Sequence, residues 1–131
     1  MHLLDTNTLI YFFKGQGRVA ERLLTMAPSA LGVPAPVLYE LEYGLARSNA
    51  PEKRRTQLAE FLRSARLIDF DANCAQAAGK LRAELEFAGQ PIGPLDGLIA
   101  GTALAHGATL VTHNTREFAR IAGLRLEDWY D

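Results

Sequence analysis

Short apolar segments alternate with helical patterns along the whole of this chain. The five segments with strand character cover residues 3–4, 30–33, 67–70, 108–111 and 124–126. Between them, the spacing of apolar residues and the positions of proline and glycine predict helices over residues 7–13, 18–26, 36–47, 52–65, 72–88, 94–106 and 116–121. Strands that are separated by helices pair in parallel through right-handed crossovers. We therefore predict a three-layer α/β/α fold with a central parallel sheet of about four to five strands.

The composition is that of one ordinary globular domain over residues 1–131, with 48% hydrophobic and 22% charged residues. No apolar run approaches the roughly 18 residues of a membrane helix. The first residues lack the basic and apolar pattern of a secretion signal, so we expect none. The single cysteine, Cys74, excludes an internal disulfide. We therefore expect a cytoplasmic protein. The net charge of −1 argues against nonspecific coating of nucleic acid, but it is compatible with nucleic acid bound along a local basic stripe beside an acidic centre.

Polar residues follow two of the predicted strands directly. Asp5 comes after the first strand, and Thr112 and Asn114 come after the fourth. In parallel sheets, ligands gather at the carboxyl ends of the strands. Asp5 could instead serve only as the N-cap of the next helix, but its place at the sheet edge favours a functional role.

Asp96 lies in the first turn of a predicted helix, where the helix dipole favours a carboxylate. Its neighbours on the same side of the helix, Ile99, Ala100 and Ala103, are apolar. A carboxylate above an apolar face is only partly solvated, which is unfavourable unless a cation or another partner compensates. The sequence therefore identifies Asp96 as a second candidate ligand.

Two acids compete on the predicted helix over residues 36–47. Glu40 and Glu42 flank opposite edges of its apolar stripe, so periodicity does not choose between them. We favour Glu40, because it is nearer the start of the helix and therefore nearer the edge of the sheet. Gly44, one turn further on, is predicted to let another backbone approach on that side.

The segment after the fourth strand offers further polar groups. Thr112 is a plausible hydrogen-bond partner for a ligating carboxylate, Asn114 could cap the helix that follows, and Glu117 is a further acid. Asp69, Asp71 and Asp128 are interpreted as strand-edge or capping residues. The three histidines do not have the spacing of zinc ligands.

Four segments in this order resemble the motifs of the PIN-domain family, most closely the VapC-type toxins of type II toxin–antitoxin systems. They are Leu4-Asp5-Thr6-Asn7, Glu40-Leu41-Glu42-Tyr43-Gly44, Asp96-Gly97-Leu98-Ile99-Ala100 and Thr112-His113-Asn114-Thr115-Arg116-Glu117-Phe118. The resemblance covers nearly the whole chain. Three segments resemble a branch whose members cut initiator tRNA in the anticodon loop: Ile92-Gly93-Pro94-Leu95-Asp96, Asn114-Thr115-Arg116-Glu117-Phe118 and the ending Glu127-Asp128-Trp129.

The resemblance implies an endoribonuclease that depends on Mg²⁺, with Mn²⁺ as a substitute, and that is neutralised by a VapB-like antitoxin. It implies that Asp5, Glu40 and Asp96 form the acidic core, with Asp5 and Asp96 holding the metal and Glu40 completing its shell or orienting the attacking water. Many members carry an aspartate where Asn114 stands here. Either Asn114 or Glu117 therefore fills the fourth position.

Further residues are expected to support or surround this centre. Thr6, Asn7, Thr112 and Asn114 would support the acids, and Arg116, Arg120, Lys14 and Arg18 would contact RNA phosphates. The run Lys53-Arg54-Arg55 is predicted to be an exposed face. The aromatic residues Tyr11, Phe12, Phe13, Tyr39 and Tyr43 exceed the evident needs of one small core, which predicts a homodimer.

Two alternatives come from other classes. A haloacid-dehalogenase-type phosphatase is suggested by Asp5-Thr6-Asn7-Thr8, but its second aspartate is Asn7 here. A catalytically inactive PIN-like module would use the same acidic pocket only to dock a basic peptide or RNA. Loss of metal-dependent cleavage in Asp5→Asn would separate an enzyme from such a module.

Overall fold

The computed structural model describes all residues from Met1 to Asp131. Five strands form one parallel sheet in the order β3-β2-β1-β4-β5. The strands are β1 His2–Leu4, β2 Leu31–Pro34, β3 Arg66–Ile68, β4 Thr109–Val111 and β5 Arg125–Glu127. Helices flank this sheet, so the predicted α/β architecture is confirmed, and β1 occupies its centre.

Seven α-helices connect the strands, and a short 3₁₀ helix, Pro28–Ala30, precedes β2. The α-helices are α1 Thr6–Lys14, α2 Val19–Leu23, α3 Ala35–Arg47, α4 Glu52–Leu62, α5 Ala72–Phe87, α6 Pro94–Ala105 and α7 Thr115–Phe118. The predictions over residues 18–26, 52–65 and 116–121 were too long. In each place, the chain leaves the helix through turns in which the amide donates three residues back, as Met26 does to Leu23, Ser64 to Phe61 and Ile121 to Phe118.

The register of the three central strands brings the polar residues together. Leu3 of β1 pairs with Gly32 on one side and with Leu110 on the other. Beyond the strands, the Asp5 amide donates to the Val111 carbonyl at 3.1 Å. Asp5 and Thr112 therefore lie side by side, directly after the carboxyl ends of β1 and β4.

The centre of the sheet is buried on both faces. Leu3, Leu4, Leu110 and Val111 are completely buried. Strands covered by helices on both faces have continuous apolar runs rather than an alternating pattern. This explains why the short central strands were recognisable from hydrophobicity alone.

Helices α5 and α6 pack closely against each other. A Cβ atom at Gly101 would lie only 2.6 Å from the Cβ atom of Ala78, so α6 requires glycine at this position. The buried apolar residues form one cluster that extends from Leu3 to Trp129. Cys74 is a free thiol that is buried within the protein, and none of the helices has the length and apolar character needed to cross a membrane.

Candidate functional site

Asp5 is a buried carboxylate at the carboxyl end of the central strand. Its side chain is the N-cap of α1 and accepts a hydrogen bond from the Thr8 amide at 2.9 Å. Burial raises the pKa of Asp5 above its usual value, while hydrogen bonds from Thr112 and Thr8 act in the opposite direction. Asp5 is thus both a helix cap and an acid whose charge is poorly solvated.

Glu40 lies next to this acid, and Glu42 does not. The Thr6 hydroxyl donates to Oε1 of Glu40 at 2.6 Å, and the negative charge of Glu40 contributes to the raised pKa of Asp5. Glu42 is exposed and forms an ion pair with Arg55 at 3.2 Å. The structure therefore separates two residues that periodicity left equivalent.

Asp96 stands in the first turn of α6 and is half-buried. Burial is the main reason that its pKa rises to about 6, and the negative charges of Asp5, Glu40 and Glu117 raise it further. Three carboxylates from separate parts of the chain therefore lie close enough to Asp96 to act on it. We call Asp5, Glu40, Asp96 and Glu117 the acidic cluster.

The segment after β4 supports the acidic cluster through a chain of hydrogen bonds. Thr112 is fully buried beside Asp5, and its Oγ1 accepts from the Asn114 amide at 3.0 Å. Nδ2 of Asn114 donates to Oε2 of Glu117 at 3.1 Å. Asn114 occupies the N-cap position of α7, but its side chain makes no capping bond, so the capping interpretation was wrong. Its side chain instead orients Glu117.

Asn7 does not join this arrangement. Its side chain is exposed and makes no hydrogen bond to another residue. The phosphatase alternative would need a carboxylate at this position as its general acid. The exposed amide of Asn7 supplies no such group.

The donor set of the acidic cluster suits a divalent cation with oxygen ligands. Repulsion among its carboxylates, seen in the raised pKa of Asp96, is relieved by a bound cation. The cluster is nevertheless open, because the only three acid or histidine donors that lie within 4.8 Å of one another are those of His113, Asp128 and Asp131. A cation such as Mg²⁺, which keeps several of its waters, fits an open set of acids.

The contacts of His113 with the C-terminal segment were not anticipated from the sequence. Nδ1 of His113 lies 2.9 Å from Oδ2 of Asp128, and its ring stacks on Tyr130 with centroids 4.3 Å apart. These contacts hold the segment after β4 against the end of the chain. His113 and Asp128 are 15 residues apart, and only the pairing of β4 with β5 brings them together.

The four basic side chains predicted to contact RNA differ in exposure and in the contacts they make within the protein. Arg116 and Lys14 are exposed and form no ion pair. Arg120 donates to the Pro91 carbonyl at 3.3 Å. Arg18 is paired with Glu21 at 3.1 Å on the surface, where such a pair is weak. Arg116 and Lys14 are therefore the most available of the four.

Two expectations about neighbouring residues were wrong. Lys53 and Arg55 are exposed as predicted, but Arg54 between them is half-buried with its guanidinium 5.9 Å from the centroid of the Phe13 ring. Gly44 does not admit another backbone, since a Cβ atom at this position would meet nothing within 4 Å. Gly44 faces open space instead.

The aromatic residues divide into two groups. Phe13 is buried, and Tyr11 and Phe12 are half-buried against the core, so core packing accounts for these three. Tyr39 and Tyr43 on α3 are 61% and 56% exposed. Of the five, only these two are exposed, and the Tyr43 hydroxyl accepts a hydrogen bond from Nη1 of Arg47 at 3.3 Å on the same helix.

Comparisons with known proteins agree with this geometry. The family model described as PIN domain matches residues 2–124. The chain is 38% identical over 127 residues to the tRNA(fMet)-specific endonuclease VapC of Shigella flexneri, covering 97% of this chain and 96% of that protein. Among solved structures, it resembles a chain of VapBC2 from Rickettsia felis bound to a promoter DNA fragment, with a TM-score of 0.91, 40% identity and 98% coverage of both chains. DNA-bound VapBC from Salmonella typhimurium gives a TM-score of 0.90 with 39% identity, covering 98% of this chain and 97% of that one. The chain therefore belongs to the PIN-domain family and, within it, to the VapC group.

Proposed function

We propose that this protein is an endoribonuclease that hydrolyses RNA phosphodiester bonds with the help of Mg²⁺, which Mn²⁺ can replace. The observation that carries the proposal is the convergence of Asp5, Glu40 and Glu117 on the half-buried Asp96. Acids placed in this way are unfavourable for a protein that binds nothing there. They suit a protein that binds a cation and a phosphate at the edge of its sheet.

The roles of the residues follow from their surroundings. A bound divalent cation supplies an acidified water and neutralises charge that develops on the phosphate. Asp5 and Asp96 would hold the cation, because burial and mutual repulsion favour its uptake at these two carboxylates. Glu40 would complete the shell or orient the attacking water, and the 2.6 Å hydrogen bond from Thr6 fixes the direction of its carboxylate. Asn114 keeps Glu117 turned toward the same centre.

The substrate class follows from the relatives. The Shigella flexneri protein is named for its action on tRNA(fMet), and we propose tRNA, cut in the anticodon loop, as the substrate here. The free cations Arg116 and Lys14 would contact RNA phosphates, with Arg120 and Arg18 as further contacts. A protein that acts on tRNA works where tRNA is located, so we place it in the cytoplasm.

We further propose that a VapB-like antitoxin controls the enzyme. The similar solved structures are complexes of VapB with VapC, and a self-repelling acidic cluster is well matched by an arginine from such a partner. We also propose a homodimer, for which the exposed Tyr39 and Tyr43 provide an apolar surface. Light scattering that shows a monomer at micromolar concentration would contradict the dimer.

The decisive experiment is cleavage of a total tRNA pool by purified protein free of antitoxin, in Mg²⁺, in Mn²⁺ and in EDTA. Asp5→Asn and Asp96→Asn are compared with the matched control Asp69→Asn, which alters an exposed acid. We expect a discrete product that requires metal, is lost in the first two variants and persists in the control. Absence of a product from folded protein with either ion would contradict the nuclease and favour a binding module.

A further inference from the structure

A pocket of about 360 Å³ opens between α1, α3 and α4, next to the acidic cluster. Glu40 lines it and is the only acid that does so, which makes the pocket continuous with the proposed reaction centre. Its volume lies in the range of pockets that take a small organic ligand. We call it the α1–α3–α4 pocket.

Positive charge dominates the lining of this pocket. Lys14, Lys53 and Arg54 contribute three cations against the single carboxylate of Glu40. Lys14 and Lys53 are exposed and form no ion pair within the protein. A concave surface with unpaired ammonium groups attracts anions.

Arg54 is held in place without any ligand. Its Nη1 donates to Oε1 of Gln57 at 2.7 Å, while Nε2 of Gln57 donates to the Phe13 carbonyl at 3.2 Å. The guanidinium also lies over the Phe13 ring. The position of this charge is therefore set by the fold, which lowers the entropic cost of binding an anion beside it.

The remaining wall of the pocket is apolar. It is formed mainly by Ile10, Leu41, Leu45 and Leu58. A pocket with cations at its mouth and aliphatic side chains along its wall matches a nucleotide, which has a charged phosphate and a flat apolar face. Neither a free metal ion nor an arginine side chain has this combination of properties.

We propose that the α1–α3–α4 pocket is a nucleotide subsite of the RNA strand, one step along the backbone from the phosphate that is cut. Lys14 and Lys53 contact the phosphate of this nucleotide, and Ile10 and Leu41 contact its base or ribose. This inference rests on the proposed ribonuclease function, since Glu40 is the residue that joins the pocket to the acidic cluster. The pocket fixes the direction in which the strand leaves the centre.

A substitution at Gly44 can fill the pocket without disturbing the fold. It lines the pocket, and a side chain added at this position would meet no atom within 4 Å of its Cβ atom. Gly44→Leu should therefore fill the subsite while α3 remains intact. Gly79 on α5 has equally open surroundings and provides a matched control, Gly79→Leu.

The test measures tRNA affinity in an Asp5→Asn background, which removes cleavage, and KM in the protein with Asp5 intact. The first variant combines Lys14→Gln with Lys53→Gln, and its control is Lys80→Gln at the only other lysine of the chain. The second variant is Gly44→Leu, and its control is Gly79→Leu. We expect the double lysine variant to weaken binding and raise KM by roughly tenfold, and to reduce the salt dependence of log Kd by about 0.7 per lost phosphate contact. Gly44→Leu should weaken binding at every salt concentration, and both controls should match the parent protein.

Equal affinity and salt dependence in parent, pocket variants and controls would overturn the subsite, whether or not the parent cleaves tRNA. Absence of cleavage in the protein with Asp5 intact would count against the ribonuclease alone, because affinity is measured separately. Unchanged RNA affinity combined with loss of a copurifying antitoxin would assign the pocket to that partner and would also overturn the proposal.

Discussion

The acidic cluster and the α1–α3–α4 pocket meet at Glu40 but carry opposite charge. In the cluster, burial and like charges raise the pKa values of Asp5 and Asp96. In the pocket, Lys14 and Lys53 remain without acidic partners. Although they are neighbours, the two regions do not neutralise each other through ion pairs. Buried carboxylates that repel one another disfavour folding and are typical of functional sites. The contrast supports the proposal that a cation completes one region and a phosphate the other.

The largest effect is expected at the boundary between the two regions. Glu40→Gln should lower the cleavage rate by roughly 10²- to 10³-fold, as loss of a preorganised electrostatic group does in other enzymes. Glu42→Gln, on the same helix, should leave the rate unchanged because Glu42 forms a surface ion pair with Arg55. Single-turnover cleavage of tRNA measures both. Equal losses in the two variants would contradict the assignment of Glu40.

A smaller effect is expected at Thr6, which supports Glu40 of the acidic cluster through a hydrogen bond. Thr6→Val removes the hydroxyl that donates to Glu40 at 2.6 Å, and loss of such a supporting hydrogen bond costs roughly 10- to 100-fold in metal affinity or activity. The loss is measured from the cleavage rate as a function of Mn²⁺ concentration. Thr6→Ser keeps the hydroxyl and should restore most of the activity. Failure of serine to do so would show that Thr6 acts by packing rather than by its hydrogen bond.

The charge of Asp96 should be visible in the stability of the metal-free protein. Its pKa of about 6 exceeds the usual 3.8, so between these values the folded state binds more protons than the unfolded state and stability rises as the pH falls. Above pH 6 the ionised carboxylate is destabilising. Asp96→Asn should therefore raise the Tm by a few degrees at neutral pH, and the gain should disappear toward pH 4.

Calorimetry in EDTA across this pH range tests the prediction, with Asp69→Asn as the control. Added Mn²⁺ should raise the Tm of the parent protein by mass action, and it should raise that of Asp96→Asn less. The Mn²⁺ concentration that gives half-maximal cleavage should rise as the pH drops below about 6, because protons then compete with the cation for the Asp96 carboxylate. A Tm gain that is independent of pH would contradict the role of its charge.

The smallest effect concerns the pocket. Gly44→Ala should stabilise the protein by about 0.5–1 kcal/mol, since glycine in an exposed helix interior is unfavourable and nothing obstructs the methyl group. Gly101→Ala should destabilise by about 1–3 kcal/mol, because its Cβ atom would collide with α5. Urea unfolding measures both. Destabilisation by Gly44→Ala would show that the pocket is not open in solution.

Strand and helix order could be predicted from the sequence because each element has its own local signal. Asp71 was predicted to cap a helix, and it does cap α5 by accepting from the Cys74 amide at 3.0 Å. The shorter helices α2 and α7 were overestimated, since their ends depend on turns that hydrophobic spacing does not report. Local rules therefore placed the elements more reliably than their ends.

The choice between Glu40 and Glu42 shows where sequence reasoning stops. Both residues flank the same apolar stripe, and only the contact between α1 and α3 brings Thr6 to Glu40. The roles of Asn114 and Arg54 were misjudged for a related reason. Their hydrogen-bond partners, Glu117 and Gln57, are close in sequence, but which of several local bonds forms depends on the packing around them.

The sequence by itself determined the α/β alternation, the central apolar strands and the placement of Asp5 and Asp96 at element boundaries. These features follow from periodicity and capping, which act over a few residues. The tertiary structure alone decided that Glu40 joins the acidic cluster, that His113 meets Asp128, and that lysines from α1 and α4 line one pocket with Gly44. Such proximities arise from the order of strands and the packing of helices, which bring together side chains that no local pattern connects.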